Sequence, residues 1–221
     1  IDSDTAEMSR FITDIALIAY SVDGTSALIN ELESSIKPDK NRQAEIAEAK
    51  ARAAQLITKV QPQMDYLATI REVLPRNGFF VPELSQMGFA SWVGGMPIYE
   101  PRTYVSEGFQ GTLGFGFPTA LGVKVANPEK AVVSVNGDGG FMFGMQELAT
   151  AAQYKIGLIT LVFNNKSYGN VLRDQDNGFG GRHVGSELQN PDFVKLAESF
   201  GIKGVRVTTP AELKPVLAAA I

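Results

Sequence analysis

Two polar clusters follow apolar runs in the second half of the sequence, and they carry residue types that bind cations. Asp138 stands among glycines in "VNGDGG", at the end of the run "AVVSV", and Asn164 and Asn165 open "NNKSYG" directly after "GLITLVF". A carboxylate and an amide oxygen suit Mg²⁺, which commonly takes one or two ligands from protein and the rest from phosphates and water. The clusters therefore predict a magnesium site if the fold brings them together.

The spacing of the two clusters fits one crossover between neighbouring parallel strands. Residues 140–163, 24 in number, separate "GDG" from "NN". Because the loops after parallel strands share one sheet edge, where ligands bind, Asp138 and Asn165 should be neighbours. The amides of Gly139 and Gly140, with the N-terminus of the helix carrying 145–154, would hold phosphate oxygens. Together the clusters predict a metal–diphosphate site; taken singly, they are a tight turn and a helix start.

Composition and the remaining motifs exclude several other classes of function. The stretch "GTLGFGFP" lacks the Gly-Lys-Ser/Thr of a P-loop, and its glycines do not fall as G-x-G-x-x-G after a strand. The formal charge is −4 and no cysteine is present, which argues against nucleic-acid binding, disulfides and thiolate metal sites. No apolar stretch approaches the roughly 20 residues that span a bilayer. We expect a cytoplasmic protein that binds neither nucleic acid nor membrane.

Short apolar strands alternate with helices from about Gln61 to the end of the chain. The expected strands are "GFFVPEL", "AVVSV", "GLITLVF" and "GVRVT", and helical patterns such as "GMQELATAAQY" and "NPDFVKLAESFG" lie between them. Continuous apolar strands that alternate with helices indicate βαβ units. The predicted fold class is α/β, a parallel sheet with helices on both faces, in one domain over residues 61–221.

The beginning of the chain predicts a different unit. Residues 1–36 hold a β-like run at 14–21 and then a helical pattern from Thr25. So small a unit needs something to pack on, which predicts the tail of a preceding α/β domain, with an N-terminal decoration as the alternative. The chain opens on "IDSDTAEMSR" without Met and stops inside a helical pattern. We therefore expect a fragment of a longer polypeptide.

Residues 37–60 predict a helix of their own. The segment is rich in alanine and charge, with Ile46 and Ile57 on one side, and Asp39 or Asn41 would be its N-cap. A solvated face is the usual meaning of such a charge pattern. The favoured interpretation is a surface linker helix, and a partner-binding helix is the alternative.

The paired motif and its surroundings resemble a family of cofactor-dependent enzymes. "GDG" followed after 24 residues by "NN" is similar to the thiamine diphosphate motif. From about Gln61 to the end, the sequence resembles the C-terminal cofactor-binding domain of the acetolactate synthase, benzoylformate decarboxylase and benzaldehyde lyase group, and residues 1–36 resemble the tail of that group's central domain. The resemblance implies the thiamine diphosphate-binding fold, with thiamine diphosphate and Mg²⁺ as cofactors.

The resemblance also implies roles for individual residues. Asp138 and Asn165 would be side-chain Mg²⁺ ligands, and the backbone carbonyl of Ser167 would be the third. Many relatives carry Ser or Ala where this chain has Gly140, so only the amide would contact the diphosphate there. The residues expected around the diphosphate are Gly137, Gly139, Gly140, Tyr168 and Gly169.

A second loop, "FQGTLGFGFP", is expected to hold the rings of the cofactor. By the resemblance, the Gly111 carbonyl accepts a hydrogen bond from the aminopyrimidine amino group, and the Leu113 amide donates to a ring nitrogen. The Leu113 side chain would wedge between the two rings and hold the reacting groups together, which is catalysis by enforced proximity. Taken alone, Leu113 would be an ordinary core residue.

The implied activity is decarboxylation of a 2-oxo acid, or its joining to a second carbonyl compound. In this group a glutamate of a separate pyrimidine-binding domain activates the cofactor, usually across a subunit interface. Nothing in this chain resembles that domain. The resemblance thus implies a homodimer or homotetramer, in which the pyrimidine-binding domain comes from the same or a neighbouring subunit, and no activity from this chain alone.

Two other functions stay open from the sequence. The chain would be a non-catalytic cofactor-binding or assembly module if no activating glutamate accompanies it. It would be the diphosphate-binding subunit of a split system, such as a 2-oxo acid:ferredoxin oxidoreductase, if it acts with a separate chain. The absence of cysteine for a cluster and the segment before Gln61 argue against the split system.

Three further features are weaker candidates. His183, the one histidine, would have to serve any Ser-His-Asp relay, but its Gly-rich setting favours a mobile lid over the cofactor. Phe141, Met142 and Phe143 are expected to pack beneath the site. Glu83 of "VPELSQ" follows an earlier strand and is a candidate to face the crevice.

Overall fold

The computed structural model describes residues 1–10, 12–37 and 42–221. Backbone contacts divide the chain into two compact units, residues 1–52 and residues 53–221. The proposed N-cap residues Asp39 and Asn41 lie outside the described residues. The predicted domain boundaries at residues 36 and 60 stay predictions.

The first unit is mostly helical. It contains α1 (Thr5–Met8), α2 (Ser21–Leu32) and the start of α3 (Gln43–Ile57), whose last residues belong to the second unit. Asp4 caps α1, because its side chain accepts a hydrogen bond from the Ala6 amide at 2.8 Å. Helix α3 occupies the segment predicted to be helical and carries no buried residue.

The strand predicted at residues 14–21 was wrong. Within this unit the run makes one isolated parallel bridge, between Asp2 and Ile18, and Ser21 already belongs to α2. A strand needs a neighbour that satisfies its amides and carbonyls along its length. The two backbone hydrogen bonds around Ile18, from Asp2 to Leu17 and from Ala19 to Asp2, do not extend into a ladder.

The second unit is built from alternating helices and strands. Its strands are β1 (Phe79–Pro82), β2 (Val132–Gly137) and β3 (Ile159–Phe163). Its helices are α4 (Gln63–Val73), α5 (Gln86–Ala90), α6 (Gly116–Ala126), α7 (Asp138–Gly144), α8 (Leu148–Gln153), α9 (Gly169–Phe179), α10 (Phe193–Ser199) and α11 (Pro210–Ala220).

The three strands form one parallel sheet in the order β1-β2-β3. Strand β2 lies at the centre, and its last residue, Gly137, pairs with Phe163, the last residue of β3. On the other side, Pro82 at the end of β1 pairs with Val135. All three strands therefore end at one edge of the sheet, as the spacing of the two polar motifs predicted.

Helices cover both faces of this sheet. Side chains alternate between the faces of a strand, so Phe80 and Val133 pack with α4 and α11, whereas Val81 and Val132 pack with Ala120 of α6. All four strand residues are buried, and burying one such side chain stabilises the fold by roughly 2 kcal/mol. The predicted α/β architecture, a parallel sheet between helices, is confirmed.

Two local predictions differ from the structure. The helix predicted over "GMQELATAAQY" is preceded by α7, which starts at Asp138, and a 3₁₀ turn at Met145–Glu147 separates α7 from α8. Among the described residues, no strand forms over "GVRVT". Instead Thr208 donates from its amide and hydroxyl to Glu212, and Thr209 caps α11, so this segment's polar groups serve a helix start.

Within the described part of the chain, no helix is both long enough and apolar enough to cross a membrane. The longest one, α3, has 15 residues and bears charges along its length.

Helix α6 approaches the sheet closely, and Gly116 makes this possible. We predict that Gly116→Ala destabilises the protein by about 1–3 kcal/mol, because a Cβ there would lie 2.5 Å from Asn136 Oδ1 and 2.8 Å from Glu83 Cβ. Gly122→Ala in the same helix is the control, since its Cβ would meet no atom within 4 Å. That variant should be neutral, or more stable by up to about 1 kcal/mol. Urea unfolding measures both, and equal midpoints would contradict the close approach.

Candidate functional site

A cavity of about 380 Å³ lies at the edge of the sheet where the three strands end. Residues that directly follow each of the three strands contribute to its wall, together with the start of α9. Its polar and glycine lining includes Ser85, Gln86, Gly137, Asp138, Gly139, Gly140, Asn164, Asn165, Ser167, Tyr168 and Gly169. Its apolar lining includes Tyr66, Leu84, Met87, Leu113, Phe163 and Val171.

Asp138 is the first residue of α7 and is only 2% exposed. Its Oδ2 accepts two hydrogen bonds, from the Lys166 amide at 2.7 Å and from Asn190 Nδ2 at 2.6 Å. Among the described residues, no donor contacts Oδ1. The carboxylate is therefore held through one oxygen, and Asp138 forms part of the cavity wall.

The segment that follows β3 lies beside this carboxylate and is held by its own hydrogen bonds. Asn164 Oδ1 accepts from the Lys166 amide at 3.1 Å and from Asn190 Nδ2 at 2.9 Å. Asn165 Oδ1 accepts from the Ser167 amide at 3.1 Å. Asn190 thus joins the end of β3 to the start of α7, although it lies 26 residues beyond Asn164 along the chain.

The glycines after β2 give neighbouring side chains room to approach. A Cβ at Gly139 would lie 2.5 Å from the ring of Tyr168, and a Cβ at Gly140 would overlap the carboxyl group of Glu83. Both glycines belong to the first turn of α7, where backbone amides have no partner within the helix. At Gly139 and Gly140 helix α7 therefore offers the cavity backbone amides that no side chain covers.

Leu113 also lines the cavity, and it belongs to a loop without regular secondary structure. Its side chain is 37% exposed and lines the cavity, whereas Gly111 is not part of the lining. Gly114 has φ +85°, and a Cβ there would lie 2.7 Å from Phe143 Cβ. Both the backbone conformation and the contact with Phe143 require glycine at this position.

Glu83 is completely buried behind the cavity. Its Oε1 accepts a hydrogen bond from the Gly114 amide, and its Oε2 has no hydrogen-bond partner among the described residues. Burial raises the pKa of Glu83 to about 7, the negative charge of Glu107 acts in the same direction, and the Gly114 amide opposes both. Glu83 therefore keeps its proton to a higher pH than an exposed glutamate does.

Residues 85–221, more than half of the chain, match the family of the C-terminal, thiamine pyrophosphate (thiamine diphosphate)-binding domain of thiamine pyrophosphate enzymes. The chain belongs to this family. The relationship predicted from "GDG" and "NN" is confirmed.

Known proteins related to this thiamine diphosphate domain are larger enzymes. The chain is 48% identical over 122 residues to the acetolactate synthase large subunit of Haemophilus influenzae. The aligned region covers 55% of this chain and 21% of that protein. The chain is 38% identical over 170 residues to the acetolactate synthase large subunit of Buchnera aphidicola (subsp. Acyrthosiphon pisum), which covers 76% of the chain and 29% of that protein. The chain thus spans 21–29% of the length of these two relatives.

A solved structure has a similar fold. The thiamine diphosphate-dependent 4-hydroxybenzoylformate decarboxylase of Rhodococcus jostii RHA1 matches with a TM-score of 0.74 and 25% sequence identity. The match covers 98% of this chain and 40% of the decarboxylase chain.

The structure brings together most of the residues that the sequence singled out in this thiamine diphosphate domain. Ten residues were assigned roles as metal ligands or cofactor contacts, and nine of them line one cavity, namely Leu113, Gly137, Asp138, Gly139, Gly140, Asn165, Ser167, Tyr168 and Gly169. Gly111 is the exception. The roles of all ten as ligands or cofactor contacts stay predictions.

Several residues of the site were not found from the sequence. Ser85 and Gln86 line the cavity a few residues after the end of β1, and the parallel-strand argument applied to β1 would have found them. Asn190 has no such signal, because its distance along the chain from Asp138 follows no periodicity. Glu83, a weak candidate from the sequence, lies beneath the cavity as a buried residue.

His183 does not form part of the cavity. Its Nε2 pairs with Asp176 Oδ1 at 2.6 Å, and neither residue lines the cavity. The loop that carries His183 is attached to α9 through Gln175, which donates to the Val184 carbonyl at 3.0 Å and accepts from the Ser186 hydroxyl at 2.7 Å. Among the described residues no serine contacts His183, so a Ser-His-Asp relay is not assembled. The lid function stays a prediction.

The aromatic residues after "GDGG" divide into two groups. Phe141 is buried and packs edge-on against Phe117 and Phe193, as predicted. Phe143 is 57% exposed, and its Cβ lies 2.7 Å from the place that a Cβ at Gly114 would occupy. The prediction that Phe143 packs beneath the site was therefore wrong, because a helical turn carries successive side chains to different faces.

We predict that Glu83→Gln changes how stability depends on pH. Between about pH 4.5 and 7 the folded protein retains the Glu83 proton and the unfolded chain releases it, so this group lowers the free energy of unfolding as pH rises. Glutamine does not titrate. The stability of Glu83→Gln relative to the native protein should therefore increase by up to about 3 kcal/mol from pH 5 to pH 8.

Urea unfolding at several pH values measures this difference, with Glu129→Gln at an exposed position as the control. A Glu83→Gln stability difference that stays constant across this range would contradict the raised pKa of Glu83.

Proposed function

We propose that this chain is the diphosphate- and Mg²⁺-binding part of an enzyme that uses thiamine diphosphate to decarboxylate 2-oxo acids or to join them to a second carbonyl compound. The observation that carries the proposal is Asp138: a buried carboxylate, held through Oδ2, whose Oδ1 meets no donor among the described residues at a cavity beside the first turn of α7. Membership of the family and similarity to acetolactate synthases and to a decarboxylase support it.

The residues present fit a magnesium–diphosphate group. The oxygen ligands proposed are Asp138 Oδ1, the Asn165 side chain and the Ser167 carbonyl, and hard oxygen ligands suit Mg²⁺. The amides of Gly139 and Gly140 at the start of α7, and that of Gly169 at the start of α9, would donate to phosphate oxygens. Each of these groups belongs to or adjoins the wall of the same cavity.

The protein's own contribution to the reaction is positioning and exclusion of water. When bound, thiamine diphosphate supplies the electron sink for the chemistry. The Lys166 amide and Asn190 orient Asp138, as outer partners of metal ligands commonly do. Leu113, which lines the cavity, is proposed to fix the relative position of the cofactor rings, and Leu84, Met87 and Val171 contribute apolar lining.

The rest of the active site is proposed to come from outside this domain. A pyrimidine-binding domain of the same or a neighbouring subunit would supply the glutamate that activates the cofactor ring, in a homodimer or homotetramer. A cytoplasmic location, expected from a sequence without cysteine, is part of the same proposal.

Asp138→Ala in the full-length protein tests the metal site. Removing the ligand should weaken binding of thiamine diphosphate in the presence of Mg²⁺ by at least tenfold, since even outer partners of a metal ligand contribute about 10–100-fold. Calorimetric titration measures the affinity. Asp174→Ala, at an exposed position on α9, is the matched control and should bind as the native protein does. Equal, tight binding by Asp138→Ala would remove Asp138 from the ligand set.

The isolated chain should not decarboxylate pyruvate or benzoylformate, because the ring-activating glutamate is proposed to lie in another domain. Release of carbon dioxide, measured with saturating Mg²⁺ and thiamine diphosphate, checks this expectation against the full-length protein under the same conditions. Measurable turnover by the isolated chain would show that the activating group is unnecessary or is supplied within residues 1–221.

A further inference from the structure

Glu83 occupies an unusual position for an acidic residue. It directly follows β1, its amide donates to the Val135 carbonyl at 2.8 Å, and its side chain is completely buried. Burying a carboxyl group without full hydrogen bonding costs free energy that an apolar side chain of the same size would not cost. A structural role alone would be served better by leucine or methionine, so the contacts of the carboxyl group call for a reason.

Those contacts connect three segments around the cavity. Oε1 accepts from the Gly114 amide in the Leu113 loop, defined here as residues 106–114. The carboxyl group also fills the space that a side chain at Gly140 would occupy, in the first turn of α7. Glu83 itself extends from the end of β1. One side chain thus touches both the loop that carries Leu113 and the helix start that adjoins Asp138.

The Leu113 loop has little else to hold its backbone. Among the described residues, the bond from the Gly114 amide to Glu83 is the one hydrogen bond that joins the backbone of residues 106–114 to another segment. The loop contains no regular secondary structure, and Gly108, Gly111 and Gly114 all have positive φ. The one backbone hydrogen bond that anchors this loop to another segment is therefore made by the residue next to Leu113.

We propose that Glu83 is a positioning residue that holds the Leu113 loop against the cavity and so sets the distance between Leu113 and the start of α7. This inference rests on the proposed function, because it assigns to Glu83 an effect on the ring end of the cofactor and not on its diphosphate end. The diphosphate end is proposed to be held by the segments that follow β2 and β3, and the hydrogen bond between Glu83 and Gly114 involves neither segment. Glu83 reaches that end only by filling the space beside Gly140, which a side chain of similar volume would also fill.

The test compares two ligands in the full-length protein by calorimetric titration with Mg²⁺ present: thiamine diphosphate and inorganic diphosphate. Glu83→Leu removes the acceptor and keeps a similar volume. It should weaken thiamine diphosphate about tenfold, the effect of one lost hydrogen bond, and change the affinity for diphosphate less than about twofold. Glu83→Gln keeps a carbonyl oxygen for the Gly114 amide and should restore both affinities to within about twofold of the native values.

A double variant tests whether the effect passes through Leu113. If Glu83 acts by placing Leu113, the combined loss in Glu83→Leu/Leu113→Ala should be clearly smaller than the product of the two single losses. If Glu83→Leu does not fold, Glu83→Met takes its place, because methionine also lacks an oxygen that could accept a hydrogen bond from the Gly114 amide. Glu129→Leu at an exposed position is the control for loss of a carboxylate and should bind both ligands as the native protein does.

The outcomes separate this inference from the proposed function. Equal weakening of both ligands by Glu83→Leu, native affinity for both, failure of Glu83→Gln to restore binding, or independent effects of Glu83 and Leu113 would each overturn the positioning role. A native protein that binds neither thiamine diphosphate nor diphosphate with Mg²⁺ would overturn the proposed function and this inference with it. Native binding combined with unchanged Glu83→Leu binding would overturn the inference alone.

Discussion

The parallel pairing of β2 with β1 and β3 is the constraint on which the candidate site depends. Gly137 pairs with Phe163, so Asp138 and Asn164 leave the sheet side by side, and Pro82 pairs with Val135, so Glu83 leaves it nearby. A shift of one residue in either pairing would turn every side chain of the shifted strand to the opposite face. The buried side chains on both faces of the sheet therefore fix the register, and the register brings the polar groups together.

The two buried carboxyl groups at this edge have different surroundings. Asp138 accepts two hydrogen bonds through one oxygen and belongs to the first turn of α7, where the helix dipole favours negative charge. Glu83 accepts one hydrogen bond, lies within the protein and has a pKa raised by burial. One sheet edge thus offers one carboxylate suited to a cation and one carboxyl group suited to a neutral, structural hydrogen bond, a separation of roles that environment alone can produce.

The sequence predicted the elements that repeat a simple pattern. The three apolar strands, their parallel arrangement and the shared cavity of Asp138, Asn164 and Asn165 followed from continuous apolar runs at crossover spacing. It failed where β-branched residues had no ladder to join, as in residues 14–21 and 204–208. It also missed Asn190, since a contact between residues 52 apart depends on the path of a loop that no periodicity records. Family membership then confirmed a relationship that the spacing of two short motifs had already indicated.

The glycines of "VNGDGG" illustrate the difference between a pattern and its physical cause. In isolation they suggest a turn, yet Gly137, Gly139 and Gly140 all have ordinary negative φ or extended backbones, and Gly139 and Gly140 lie inside a helix. What these positions need is space, since the Tyr168 ring lies against Gly139 and the Glu83 carboxyl group lies against Gly140. Gly114 adds the same requirement against Phe143. Each of these glycines therefore leaves room for a side chain from another segment, so a methyl group added at Gly139, Gly140 or Gly114 would displace Tyr168, Glu83 or Phe143.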